Sequence, residues 1–329
     1  MNFLSITGRS HLIYLLSQCI MNSYRSCHFD AEKKGYFPQE PDFIAYLVRD
    51  LAHYIPIILK NKFNITNCTT KGVFCHQSPK VSFYNSKTKK QNCAELGDLL
   101  IVYKETNNNK SKSTALLLQA KCVSSTPHKI GSGEQHQLHL YQYWPPFDYS
   151  SPVELRNIPK DGTKNQRNVP QILNSEGSHY LLLDVQRANM IPSYLSYTDT
   201  TSIPTNPLTY RFPLALAIGK MLHFDLDSGR KFELIPNYDP SKDYIKGDDW
   251  SNMINDLIYI GINKHFNRKL MGFKHTRRDF FCFEYNASGQ FSGDDIILSA
   301  NRDDKRDYIQ DDEENAGVST LMINVNITD

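Results

Sequence analysis

The sequence predicts an α/β fold, and three observations carry that prediction. Two apolar runs of strand length, Leu99–Tyr103 and Ala115–Leu118, stand on either side of a polar connection rich in Asn, Lys and Ser. A third run, Tyr180–Val185, reads as a buried strand. Between and around them lie helical patterns: Phe43, Ile44, Leu47, Val48 and Leu51 recur at helical spacing, as do Trp250, Met253, Ile254, Leu257, Ile258 and Ile262.

Taken in order, the chain opens with a helix over about residues 10–23 and a second over about 41–60, whose last turn Pro56 is expected to distort. Val73-Phe74 and Val81–Tyr84 suggest a strand or hairpin ahead of the strand that Asp98 opens. The stretch Glu105–Ser113 reads as a disorder-prone connection. After a glycine-containing turn (Gly131, Gly133), Gln137–Tyr141 is helical. Tyr143–Phe147 ends that helix and begins a proline-dotted loop to about residue 171. Beyond residue 190, Leu214–Phe224 and Phe232–Ile235 read as a hairpin around Asp225–Gly229. A helix capped near Asp248-Asp249 follows, then an aromatic strand, Phe280–Tyr285. The tail carries acidic runs from about residue 301 and ends in a β-prone stretch, Leu321–Ile327. The expected division is 1–190 as the core domain and 191–329 as an α+β extension with a docking or regulatory role.

Composition excludes some classes. With 37 Lys and Arg against 35 Asp and Glu, the formal net charge is only +2, so polyanion binding has no global signature and must come from local clusters. Those clusters are Lys87, Lys89 and Lys90; Lys110 and Lys112; and Arg277-Arg278. The first two groups are expected near the site derived below. The 7 cysteines are scattered and form no C-x-x-C, so a disulfide framework or zinc ribbon is not favoured and buried free thiols are expected. Cys68 and Cys75-His76 lack a second ligand pair at zinc spacing. The run Leu12–Leu16 is short for a membrane span, and no small-residue cleavage site follows it. A cytoplasmic protein without membrane attachment is expected.

The chemistry concentrates at the paired runs. Side chains alternate along a strand, so Gln119 and Lys121 share a face, and hairpin pairing puts Asp98 on that face too. A carboxylate, an amide oxygen and a lysine converging at a sheet edge suit metal-assisted phosphodiester cleavage.

Asp98 with Gln119-Ala120-Lys121 resembles the core of the PD-(D/E)xK nuclease superfamily, in its variant with glutamine before the lysine, as in bacterial anti-phage defence nucleases. Gln137 and Tyr141, four apart on one helix face, resemble the Q-x-x-x-Y helix of RecB-like members. The resemblance covers about the first half of the chain and implies a restriction-endonuclease-like core, a mixed central sheet flanked by helices, with Mg²⁺ as cofactor, Mn²⁺ as substitute, and DNA as substrate. It implies Asp98 and Gln119 as metal ligands, Lys121 as the residue positioning or activating water, and Gln137 and Tyr141 as contacts to the scissile strand. The amide supplies no negative charge, so a further acid is expected. Glu40, ahead of the Phe43 helix, is the leading candidate for a metal-binding catalytic role, although first-turn acids are also favoured by helix capping. Glu95 points away from Asp98 on an extended strand unless Gly97 breaks the parity. The resemblance also implies gating by a partner such as an ATPase or helicase, and an antiviral setting. Homo-oligomerisation is left open. The alternatives are a catalytically silent nuclease scaffold that binds DNA or a partner subunit, and a ligand-binding protein in which Asp98 and Lys121 form an ion pair.

Overall fold

The computed structural model describes residues 6–75, 79–124, 127–156, 166–170, 177–184, 199–225, 227–263, 281–287, 291–293 and 317–327. Two helices begin the chain, α1 (Ile6–Lys33) and α2 (Glu40–Phe63), and both run beyond their expected limits. Pro56 sits inside α2 without ending it. A proline has no N–H for the carbonyl four residues back. The Thr70 hydroxyl, from the next strand, donates to that carbonyl of Ala52 instead.

Strands β1 (Cys68–Phe74), β2 (Lys80–Asn85), β3 (Lys90–Glu95), β4 (Leu99–Asn107) and β5 (Lys110–Val123) follow. The Val73 and Val81 strands do not pair with each other: β1 joins the main sheet, whereas β2 forms a hairpin with β3 in a separate small one. The stretch expected to be a disorder-prone connection between the apolar runs is ordered strand. Asn107 pairs with Lys110, and Asn108 and Asn109 turn the chain with φ of 46° and 63°. Asparagine tolerates the left-handed region that a two-residue hairpin loop demands. Lys110 and Lys112 therefore lie at the far end of the hairpin, more than about 20 Å along the strand from Gln119, not beside the site.

A short turn, Ser132–Glu134, leads into α3 (Gln135–Tyr143), which Trp144 terminates with a left-handed φ of 42°. Part of the segment expected as loop is β6 (Phe147–Ser151), which pairs with β2, followed by α4 (Val153–Arg156). Then come β7 (Ser178–Asp184), β8 (Asp199–Ser202) and β9 (Phe212–Pro213). Leu214–Leu222 is a helix, α5, rather than one arm of a hairpin. Its Leu-Ala-Leu-Ala start alternates like a strand, but Leu, Ala, Met and Lys are all strong helix formers. At Gly219 an added Cβ would lie 2.7 Å from Ile13 of α1, so the glycine lets the two helices approach. The short β10 (Arg230–Lys231) pairs with β5, and α6 (Asp249–Ile258) starts where Asp248 accepts the Ser251 N–H at 3.0 Å. The chain ends in β11 (Phe281–Asn286), β12 (Phe291–Gly293) and β13 (Ser319–Ile327). Arg277-Arg278 and the acidic runs 303–307 and 311–314 lie outside the described residues.

The main sheet is mixed, in the order β12-β11-β1-β13-β4-β5-β7-β8-β9. β13 lies parallel to β4 and antiparallel to β1, so the last described strand of the chain is a central one. Strands from both sides of residue 190 thus share a single sheet. Alternation sorts its side chains. Leu99, Ile101, Leu116, Leu118 and Ala120 pack with α1, α2 and α5 on one face. Leu100, Val102, Leu117 and Tyr180 pack with α3, α6 and the small sheet on the other. Among the described residues, no helix is long and apolar enough to cross a membrane. All seven cysteines are free, five of them buried.

Candidate active site

The site grows from a mismatch in strand length. β4 begins at Leu99, opposite Leu118, but β5 runs on to Val123. On the other side β5 keeps a partner, with Gln119 opposite Tyr180 and Lys121 opposite Leu182 of β7. Toward β4 its Ala120 and Cys122 N–H groups meet no strand, and a buried N–H needs an acceptor. Two carboxylates supply it. Asp98 Oδ2 accepts from Ala120 N at 2.7 Å, and Glu40 Oε1 accepts from Cys122 N at 2.7 Å. Same-side N–H groups two residues apart are about 6.6 Å apart, so the two acids stand side by side in the slot that β4 leaves open.

Each side chain has a local reason for its place. Asp98 lies one residue before the first pair of the hairpin, Leu99 with Leu118, and its N–H donates to the same Leu118 O at 2.9 Å, which holds it at the mouth of the slot. Gln119 Nε2 donates to Asp98 Oδ2. Glu40 is the first residue of α2, yet it does not cap that helix: Asp42 does, accepting the Gln39 N–H at 2.8 Å. Glu40 is thereby free to bridge to β5. Gly97 sits behind Asp98, where an added Cβ would meet Leu117 Cδ1 at 2.7 Å and Tyr141 Oη at 3.0 Å. The chain leaves strand geometry between β3 and β4, and Glu95 comes to face Asp98 and Glu40 electrostatically.

Lys121 closes the arrangement. Its Nζ lies 2.7 Å from Glu134 Oε1, at the start of α3, and it also faces Glu40 and Asp98. Burial lowers the Lys121 pKa, but these three acids outweigh it and the ammonium ends above its usual range. Burial raises Asp98, reinforced by Glu95 and Glu40 and opposed by the Ala120 N–H and Lys121, to about 8. Glu40 is raised as well, by burial first, with Lys121 and the Cys122 N–H opposing. Both carboxylates are thus held above their usual range chiefly because they are buried.

Sequence reasoning found Asp98, Gln119, Lys121 and Glu40, and the structure brings these four together. It places Gln137 and Tyr141 on α3, both buried. The Tyr141 hydroxyl donates to Leu96 O at 2.8 Å and so fixes the turn that presents Asp98. Two neighbours escaped the sequence. Glu134 follows a glycine-rich turn with no periodic signal, and Tyr180 is hidden in the apolar run of β7. The Tyr180 ring is 5.6 Å from that of Tyr141, and its buried hydroxyl has no hydrogen-bond partner among the described residues. Glu134 and Asp98 both act on its pKa, behind the larger effect of burial. On the adjacent strand, Gln119 Oε1 is also buried and unpartnered. An orphaned buried hydroxyl costs about 1–3 kcal/mol. Tyr180→Phe is accordingly expected to leave the fold intact and raise the melting temperature; a drop in a thermal melt would show that the hydroxyl has a structural partner.

Among the described residues no three His, Cys, Asp or Glu side chains converge tightly enough to enclose a metal ion by themselves. The donor set fits Mg²⁺ nonetheless. That ion keeps several waters and takes one or two protein carboxylates, and the unpartnered Gln119 oxygen is a further hard ligand beside them. Compared with protein-family models, with curated proteins and with solved structures, the chain matches none.

Proposed function

We propose that this protein is a metal-dependent DNA endonuclease of the PD-(D/E)xK type, acting at the slot beside β5. One observation carries the reading: Asp98 and Glu40, from separate elements, are anchored side by side on Ala120 and Cys122, with Gln119 and Lys121 on the strand between and beyond them. Asp98, Glu40 and Gln119 would hold Mg²⁺, which supplies charge neutralisation at the phosphate and a more acidic water. Lys121 stays an ammonium because three acids face it, so it orients the attacking water and offsets phosphate charge instead of taking a proton. With the ion bound Glu40 would be kept ionised as a ligand, and the attacking water gives its proton to solvent as the new P–O bond forms and the leaving-oxygen bond breaks. Tyr141 and Gly97 keep Asp98 in place from behind. The restriction-endonuclease-like core, the gating partner of ATPase or helicase type and the anti-phage setting belong to the same proposal, on the strength of the sequence resemblance.

Supercoiled plasmid tests the reading. With Mg²⁺ or Mn²⁺ the wild type is expected to nick, and Asp98→Ala and Lys121→Ala to lose on the order of 10²–10⁴-fold in rate. Nicking that survives both substitutions would refute it.

A specific observation favours a second reading. Both carboxylates already serve as acceptors for unpaired strand N–H groups, which is a sufficient structural task. Under that reading the chain is a silent nuclease scaffold that binds DNA or a partner subunit, and folded wild type does not nick under any metal condition.

A further inference from the structure

At the opposite end of α3 from the slot lies a groove of about 480 Å³, within the size range of ligand sites. Eight residues of helix, about 12 Å, separate Gln135 at one end from Tyr143 at the other. Phe83 and His139 form the floor, their rings stacked with an interplanar angle of 13° and centroids 6.1 Å apart. Tyr84 and Tyr143 line it too, and these large aromatics remain 54% and 40% exposed. Lys87 stands over the Tyr143 ring at 4.4 Å and donates to its hydroxyl at 2.6 Å. The turn bearing it is built: Asn85 Oδ1 accepts the Lys87 and Thr88 N–H groups at 3.0 and 3.2 Å. Lys89 lies in the same exposed turn and Lys90 opens β3 beside it.

His139 distinguishes the groove from a chance hollow. It is 7% exposed, its ring touches Phe83 and Tyr143, and it makes no hydrogen bond among the described residues. Burial and then Lys87 lower its pKa, so at neutral pH it is a neutral imidazole with one donor and one acceptor. Aromatic faces, a polar ring edge in the floor and a lysine turn at the rim match a base and its phosphate. Such stacking accepts any base, whereas a base paired within a duplex has no free face to offer.

We propose that this groove binds single-stranded nucleic acid, one base stacking on the open Tyr84 ring while the adjoining phosphate meets Lys87, which is seated on Tyr143. The proposal deepens the nuclease reading and rests on it for the substrate: groove and slot stand at the two ends of the buried helix α3, so a single strand that spans them makes an unpaired segment near the scissile phosphate the preferred target.

Binding is measured on the full chain in EDTA, so no cleavage intervenes, with a fluorescein-labelled oligothymidine and a duplex of equal length. The wild type is expected to prefer the single strand. Tyr84→Ala combined with Tyr143→Ala should weaken single-strand binding by roughly tenfold or more, Tyr143→Trp should retain it, and duplex binding should not move. Both tyrosines are exposed, and circular dichroism checks that the variants fold. Unchanged single-strand affinity in the double variant, an equal loss for the duplex, or no single-strand binding by the wild type overturns the proposal. The two readings fail separately. Tyrosine-dependent single-strand binding by a protein that never nicks keeps the groove and removes the nuclease. Nicking that needs Asp98 but ignores both tyrosines does the reverse.

Discussion

Asp98→Asn is expected to stabilise the metal-free protein at about pH 8 and to abolish its response to Mg²⁺. The folded-state pKa of Asp98 is raised from 3.8 to about 8. A group shifted upward contributes stability that is complete below its unfolded pKa and is lost as pH rises through the folded value. The metal-free wild type should therefore lose stability between about pH 4 and pH 8. A tenfold change in proton affinity is worth about 1.4 kcal/mol, so the loss is on the order of a few kcal/mol. Asparagine keeps an oxygen for the Ala120 and Gln119 donors, carries no charge and does not titrate. Thermal melts at about pH 5 and pH 8 should show a slope in the wild type and a flatter line in the variant. Added Mg²⁺ should reverse the order, because a cation favours the ionised carboxylate and stabilises only the protein that holds it. Equal slopes in both proteins would mean that Asp98 is not the group that titrates.

Asp256→Ala is expected to be the most destabilising single substitution outside the slot. Asp256 and Arg167 are both fully buried and paired, with Arg167 Nη2 to Asp256 Oδ2 at 2.8 Å. Tyr149 and Tyr238 donate their hydroxyls to the same carboxylate at 3.0 and 2.8 Å. The network joins α6 to β6 and to the segment of Arg167, which exchanges backbone hydrogen bonds with Phe147 at 3.0 and 2.8 Å. Removing the carboxylate strands a guanidinium in the interior, which costs about 3–5 kcal/mol. Chemical denaturation should report that loss, and Arg167→Met on the same background should recover part of it by removing the stranded charge. A loss below about 1 kcal/mol would show that water reaches Arg167.

The part of the site that was legible in the sequence was the part written in one strand pair. Period-two alternation in Leu99–Tyr103 and Ala115–Leu118 fixes which face carries Gln119 and Lys121, and Asp98, one residue before the first pair of the hairpin, meets Gln119 through its side chain. Glu40 was legible as a candidate because it stands just ahead of a strong helical pattern. Its bond to Cys122 was not, since that depends on where the end of α2 falls against the sheet. Glu95 depended on whether the chain breaks at Gly97, and Glu134 and Tyr180 on the packing of α3 and on β7 being the neighbour of β5. The largest topological surprise has the same cause. Nothing local tells that Ser319–Ile327 inserts between β1 and β4, because that pairing spans more than two hundred residues of chain. Leu214–Leu222 departs from the expected hairpin for the opposite reason: its alternating start fits a strand and a helix equally, and contact with α1 decides it.

The paired carboxylates exist either to hold a cation or merely to cap a strand. Calorimetric titration of Mn²⁺ into the metal-free wild type, alongside Asp98→Asn, decides between them. A metal-binding slot requires wild-type binding with proton release near pH 7, since Asp98 must ionise to coordinate, and no binding by the variant. Wild-type protein that takes up no ion, or a variant that binds as well as wild type, would contradict the nuclease reading and leave Asp98 and Glu40 as acceptors for the free edge of β5.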